Sequence, residues 1–128
     1  MKPITLEWVA KAEGDWQGAQ HMYGHRKHVQ FETICFYTQQ CVEKYLKARL
    51  AEAGQAISKT SNLSVLLKMV LPLEPDWAVL RAQIKGLKSY TWDITYPGRY
   101  ATKAQAKQAI KDCREVRRVI RTAFGLPV

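Results

Sequence analysis

The stretch FYTQQCVEKYLKARL, Phe36–Leu50, decides the fold. Placed on a helix, it carries apolar side chains on more than one side, whereas Gln40, Glu43, Lys44 and Lys47 recur at the i, i+3, i+4, i+7 spacing of one stripe. A helix that is apolar on more than one side is usually central in a bundle. We therefore expect the polar stripe to face a groove, a dimer seam or an acid on a neighbouring helix.

Helical periodicity continues on both sides of this stretch, and no run of alternating apolar residues is long enough for a sheet. The 128 residues fit a single domain, 1–128. We predict an all-α fold, an antiparallel up-and-down bundle of about five helices. The expected helices are Thr5–Tyr23 with Thr5 as N-cap, Phe31–Ala53, Leu63–Val70, Pro75–Tyr90, and a last helix from the capping box at Thr102 and Gln105 to Gly125.

Charge and cysteine usage limit the partners and the compartment. Twenty Lys and Arg against eleven Asp and Glu give a formal charge of +9, which favours nucleic acid, nucleotides or an acidic protein as partners. Cys35, Cys41 and Cys113 are odd in number and lack CxxC spacing, so we expect neither a disulfide framework nor a zinc site. No signal peptide and no membrane span is evident, and we predict a cytoplasmic protein that does not contact a membrane.

Motifs that would identify an enzyme are missing from the sequence. It contains no GxxxxGK[ST], no HExxH and no GxGxxG after a strand. His21 and His25, at i and i+4, would suit a metal on a continuing helix, but no acidic or thiol ligand accompanies them. We predict no metal site and no cofactor.

Three further features carry charge or aromatic groups. Asp15 lies within the apolar arc of the first helix, so it requires a cation or several donors nearby. The loop TWDITYPGRYAT has a composition that often binds ligands. The last helix carries a basic ridge that either is solvated or binds an anion: Lys103, Lys107, Lys111, Arg114, Arg118 and Arg121.

Four motifs in order resemble the HEPN domain, the higher eukaryotes and prokaryotes nucleotide-binding family, over nearly the whole chain. They are the acid Asp15 on an early helix, Gln-Gln-x-x-Glu-Lys-x-x-Lys-Ala over 39–48, Lys-Thr-x-x-Leu over 59–63, and Tyr-Pro over 96–97. The resemblance implies a helical bundle that is usually a homodimer. Such domains are often encoded beside a minimal nucleotidyltransferase in bacteria and archaea.

Some members of this family are metal-independent ribonucleases that act as toxins, with an arginine followed four to six residues later by a histidine. This sequence departs from that motif, because only His28 follows Arg26 and at too short a spacing. Ser61 stands where many relatives have histidine, and Arg99 lies beyond the proline rather than before the tyrosine. A serine has no group that titrates near neutral pH, so the departure at Ser61 argues against ribonuclease chemistry by that route.

We therefore expect a noncatalytic module that binds nucleotide or nucleic-acid phosphate, docks a nucleotidyltransferase, or does both. Lys44 and Lys47 would supply charge, Tyr96 and Tyr100 would stack on a base, and Arg99 would pair with phosphate. In a competing account Glu43 neutralises Lys47 one turn away, and Gln40 and Lys44 serve the dimer seam or the structural acid Asp15. The alternatives are a ribonuclease toxin with a non-standard site, in which Arg99 meets His25 or His28, and a scaffold subunit without a ligand.

Overall fold

A computed structural model of the protein describes residues 1–25, 27, 29–94, 97–98 and 100–128, with the backbone alone for 91–94. Over these residues the chain forms five α-helices and one 3₁₀ helix, without a strand, so the predicted all-α fold is confirmed. The elements are α1 (Pro3–Tyr23), α2 (Phe31–Glu52), α3 (Leu63–Val70), the 3₁₀ helix (Pro75–Leu80), α4 (Arg81–Ile94) and α5 (Lys103–Ala123).

Helices α1 and α2 form an antiparallel pair along their whole length. The hydroxyl of Thr5 donates to Glu52 Oε1 at 2.8 Å, near the start of α1 and the end of α2. At the opposite end Gly18 lies against the ring of Tyr37. Because residue numbers rise along one helix as they fall along the other, the two helices run in opposite directions.

The central position expected for α2 is confirmed by its packing. It contacts α1, α3, α4 and α5, whereas α1 and α5 touch each other much less. Ile34, Val42, Tyr45, Leu46 and Leu50 of α2 are fully buried. Each aliphatic side chain of this kind contributes about 1.5–3 kcal/mol by leaving water, so α2 organises the core.

Two predicted helix starts differ from the structure. Helix α1 begins at Pro3 rather than after Thr5, because a proline in the first turn has φ preset for a helix and needs no hydrogen bond for its nitrogen. Thr5 is therefore not an N-cap; it is fully buried and bonds Glu52. The segment that begins at Pro75 forms a 3₁₀ helix first and becomes α-helical only at Arg81.

Helix α4 ends at Ile94 rather than at Tyr90 as expected. The starts of α3 and α5 and the end of α2 follow the predicted local chemistry. Helix α3 spans Leu63–Val70 as expected, and the Asn62 side chain accepts from the first free backbone N–H groups. The capping box of Thr102 and Gln105 at the start of α5 is confirmed by bonds in both directions. Gly54, just beyond α2, has φ of +71°, a left-handed conformation that favours glycine over other residues.

Candidate anion-binding surfaces

Lys44 of the polar stripe is engaged with α1. Its Nζ donates to Asp15 Oδ2 at 2.5 Å, and both side chains are largely buried, at 23% and 15% exposure. The contact supplies the cation that Asp15 requires within an apolar arc. In this arrangement Lys44 neutralises an acid of its own chain, as the competing account expected.

Lys47 is more deeply buried than Lys44. Its side chain is 8% exposed, donates to Glu43 Oε2 at 3.1 Å and lies 5.8 Å from the centre of the Trp8 ring. A cation over an indole face gains further electrostatic attraction. Glu43 Oε1 and Trp8 Nε1 are buried without a hydrogen-bond partner among the described residues. Lys47 is thus held within the bundle by Glu43 and Trp8.

A hollow of about 300 Å³ adjoins this end of the polar stripe. It is lined by Ile4, Glu7, Trp8, Lys11 and Lys44. The carboxylate of Glu7 in its wall would repel a phosphate, and Lys44 already has a carboxylate partner. The hollow therefore offers a mixed-charge surface rather than a concentrated positive one.

A buried polar cluster that the sequence did not reveal joins α1, α2 and α5. We call it the Glu13 cluster. Arg117 Nη2 donates to Glu13 Oε1 at 2.6 Å and Arg117 Nε to Glu13 Oε2 at 2.8 Å, and the Tyr45 hydroxyl donates to Oε2 at 2.7 Å. Arg121 Nη1 donates to the Tyr45 hydroxyl at 3.0 Å and lies 3.6 Å from Glu13 Oε1. Two arginines therefore share one carboxylate.

The electrostatics of the Glu13 cluster follow from these contacts. Burial would raise the pKa of Glu13, but the hydrogen bonds and charges of Arg117, Tyr45 and Arg121 outweigh burial and lower that pKa. Burial and the neighbouring Glu13 carboxylate raise the pKa of Tyr45. Glu13 is consequently ionised and Tyr45 neutral at physiological pH, which fixes the direction of each bond.

The basic ridge expected on α5 is shorter than its sequence suggested. Arg121 is directed into the Glu13 cluster and is 13% exposed, so it does not belong to an exposed ridge. Arg118 forms a bidentate pair with Glu115 one turn away, and Arg114 lies over the Trp16 ring at 5.8 Å. Each of these arginines is long enough to reach a carboxylate or an aromatic ring on α1 or α5. The three side chains are therefore engaged with residues of their own chain.

What remains of the ridge is a set of exposed lysines, which we call the lysine ladder: Lys103, Lys107 and Lys111. None of the three forms an ion pair with a described residue. Their i, i+4, i+8 spacing places one cation per turn on the same side of α5, over about 12 Å. The ladder is therefore a linear array of exposed cations, none of which is in an ion pair with a described residue, although the charge of Lys111 also acts on the neighbouring Asp112.

The aromatic loop before α5 is described only in part. Tyr100 is 76% exposed, three residues before the lysine ladder. Tyr96 and Arg99, the other loop residues predicted to bind a nucleotide, lie outside the described residues. Of the predicted site, the structure thus places Lys44 and Lys47 in ion pairs and leaves Tyr100 open to solvent.

A second basic surface, which the sequence analysis missed, lies between α3 and α4. We call it the basic groove. It has a volume of about 510 Å³ and is lined by Ser64, Leu67, Lys68, Leu71, Arg81, Ile84, Lys85 and Lys88. Part of this surface is evident in the sequence, because Arg81, Lys85 and Lys88 recur at i, i+4, i+7 on one helical face. The groove itself could not be predicted, because it forms only where α4 packs beside α3.

The histidines and cysteines of the described chain give little support for catalysis. His21 and His25 stack edge to face with their Nε2 atoms 3.1 Å apart, both exposed, and no cluster of three metal-ligating side chains occurs among the described residues. His28 lies outside them. The three cysteines are free and buried, and burial raises the pKa of Cys35 to about 11. Such thiols are poor nucleophiles at neutral pH.

Comparison with known proteins gives one match. The family model described as HEPN domain matches residues 5–123, nearly the whole chain, which confirms the resemblance inferred from the motifs. Neither a curated protein nor a solved structure matches. Within the described residues, no helix has both the length and the apolar character that crossing a membrane would demand.

Proposed function

The chain belongs to the HEPN domain family, and from this premise we propose that it is a noncatalytic module that binds the phosphate groups of a nucleotide or nucleic-acid strand. The observation that carries the proposal is the lysine ladder, three exposed cations without a carboxylate partner among the described residues, beside the exposed Tyr100. Lysines bind phosphates as point charges, and an exposed aromatic ring offers a stacking platform.

The shape of the ladder favours a strand over a single nucleotide. Its cations are spread over about 12 Å of helix, so they match phosphates that repeat along a backbone better than phosphates gathered at one point. Each exposed contact contributes only about 1 kcal/mol, and three together would strengthen binding by about two orders of magnitude. Binding of this kind does not depend on the nucleotide sequence of the strand, and its affinity falls steeply as the salt concentration rises.

The test is fluorescence titration of a labelled single-stranded RNA at several salt concentrations. Three phosphate contacts predict that log K falls with log salt with a slope of about −2 for a single strand. The triple variant Lys103→Gln, Lys107→Gln, Lys111→Gln should lose most of the affinity and most of the slope. Tyr100→Leu should lower the affinity at unchanged slope, because stacking releases no counterions.

The matched control changes the same number of lysines elsewhere. Lys68→Gln, Lys85→Gln, Lys88→Gln removes equal charge from the basic groove and should leave the salt slope unchanged. Equal losses in both triple variants would mean that net charge alone attracts RNA, and the proposal would fail. The titration also tests the ribonuclease alternative: metal-independent cleavage of the RNA that His25→Ala or His28→Ala abolishes would replace the noncatalytic reading.

Partner docking and self-association are the other parts of this proposal. We propose that the module pairs with a second copy and docks a minimal nucleotidyltransferase, as the family resemblance implies. An observation that supports pairing is Phe36, which is 52% exposed although it lies on the central helix, on the same side as the half-buried Gln40 and Lys44. Coverage of this ring by a second copy would remove apolar surface from water.

A further inference from the structure

The basic groove has the chemistry of a docking site for a protein helix. We propose that it binds an acidic amphipathic helix of a partner protein, with the apolar stripe of that helix on the floor of the groove and its carboxylates on the rims. The inference rests on the docking part of the proposed function and is independent of strand binding by the lysine ladder.

The floor of the groove is aliphatic. Leu67 and Ile84 belong to the core, at 4% and 1% exposure, so of these three side chains the partly exposed Leu71 offers a partner most of the apolar surface. Leu67 and Leu71 are one turn apart on the α3 side, and Ile84 faces them from α4. Helix-in-groove recognition uses apolar side chains at such helical spacing on both partners.

The rims of the groove are basic on both sides. Exposed Lys68 lies on the α3 side and exposed Arg81, Lys85 and Lys88 on the α4 side. None of them forms an ion pair with a described residue, and none of the described lining residues is acidic. Like charges one turn apart on α4 repel each other mildly, so carboxylates of a partner would relieve a repulsion as well as form pairs.

The same features fit a nucleotide poorly. Among the described lining residues there is no aromatic ring on which a base would stack, and Ser64 is the one neutral polar side chain. The edges of a base would meet cationic donors and Ser64 there, but its faces would find no described ring to stack on. Arg81 and Lys88 are seven residues apart, about 10 Å along α4, which spreads charge over two turns instead of gathering it around one phosphate cluster. Two turns of a partner helix match that length.

The experiment uses the full chain and a designed probe. The probe is a fluorescein-labelled peptide of about 15 residues with leucines at helical spacing and glutamates on both flanks of that stripe. We expect it to bind wild type, and we expect Lys85→Gln, Lys88→Gln to weaken binding about tenfold, as the loss of two rim contacts implies. The methyl resonances of Ile84 and Leu71 should shift when the peptide is added.

Controls separate the groove from general charge. A peptide of the same composition with its leucines scrambled off one face should bind at least about tenfold more weakly, and Lys103→Gln, Lys107→Gln on α5 should leave peptide binding unchanged while weakening RNA binding. The inference is overturned by absence of peptide binding, by equal binding of the scrambled peptide, by equal loss in the α5 variant, or by ATP shifting the same methyl resonances and displacing the peptide. RNA binding that survives while the peptide fails would leave the strand-binding proposal standing.

Discussion

Replacement of Glu13 by glutamine tests how far one carboxylate holds three helices together. The substituted side chain would keep its volume but lose the charge that Arg117 and Arg121 share, and its amide NH₂ would face guanidinium donors. The affected contacts join α1 to α5 at 2.6 Å and 2.8 Å and to the Tyr45 hydroxyl at 2.7 Å. The substitution therefore leaves the partly buried Arg117 and Arg121 without a negative partner at this position, while the apolar core is unchanged.

The size of the effect follows from burial. Loss of one partner of a buried ion pair costs about 3–5 kcal/mol. Glu13 is 21% exposed, Arg117 15% and Arg121 13%, so water relieves part of this cost. We expect Glu13→Gln to lower the free energy of unfolding by about 2–3 kcal/mol, a large share of the about 5–15 kcal/mol of a typical domain. The corresponding fall in Tm is about 8–12 °C.

The effect should depend on pH with a definite sign. The pKa of Glu13 is lowered in the folded protein from its ordinary value of 4.5. A carboxyl with a depressed folded pKa stabilises the fold above its unfolded pKa, and this contribution disappears as pH falls through the folded pKa. The difference between wild type and Glu13→Gln should therefore be full at neutral pH and shrink progressively below 4.5.

Urea unfolding followed by circular dichroism, at neutral pH and at several acidic pH values, measures this difference. Glu115→Gln is the matched control, because its pair with Arg118 has the same bidentate geometry but is 40–53% exposed, and such pairs contribute little. If both variants are equally stable, the Glu13 cluster does not hold the helices. If the loss from Glu13→Gln stays undiminished at about pH 3, its origin is not the carboxylate charge.

Two further predictions concern association and acid response. Light scattering should give twice the 14.7 kDa chain mass, and a monomer at every concentration would contradict self-pairing. Asp112→Asn should raise Tm at neutral pH. Burial raises the pKa of Asp112 from 3.8, because it outweighs the hydrogen bond from Gln108 and the charge of Lys111. The ionised carboxylate therefore destabilises the fold as pH rises above that value. A Tm gain that persists unchanged under strongly acidic conditions would contradict this cause.

The fold could be predicted because its determinants are local. Apolar coverage on several sides of Phe36–Leu50 placed α2 at the centre, and the cap at Asn62 and the capping box at Thr102 fixed the starts of α3 and α5. The errors arose where two local signals competed. Thr5 has a side chain that suits an N-cap, but Pro3 starts the helix, and the threonine hydroxyl instead bonds Glu52, 47 residues away.

The site was harder to predict because its contacts are long-range. The polar stripe on α2 was evident, and Asp15 was expected to need a cation, but the choice of Lys44 depends on how α1 packs against α2. The bond from Arg117 to Glu13 spans 104 residues, and periodicity within one helix cannot indicate it. The basic groove was missed for the same reason, since its cations come from two helices.

Charge in this protein is divided between the interior and the outer faces of the bundle. The carboxylates of Glu13, Asp15, Glu43 and Glu74 are each engaged by a cation in a partly or fully buried pair. These acids are paired with cations within the bundle. The excess positive charge, formally +9, therefore lies on outer surfaces such as the lysine ladder and the basic groove. Buried pairs are screened weakly by salt and exposed cations strongly. Added salt should therefore abolish strand binding well before it affects the stability of the fold, which distinguishes cations that hold the bundle from cations that hold a ligand.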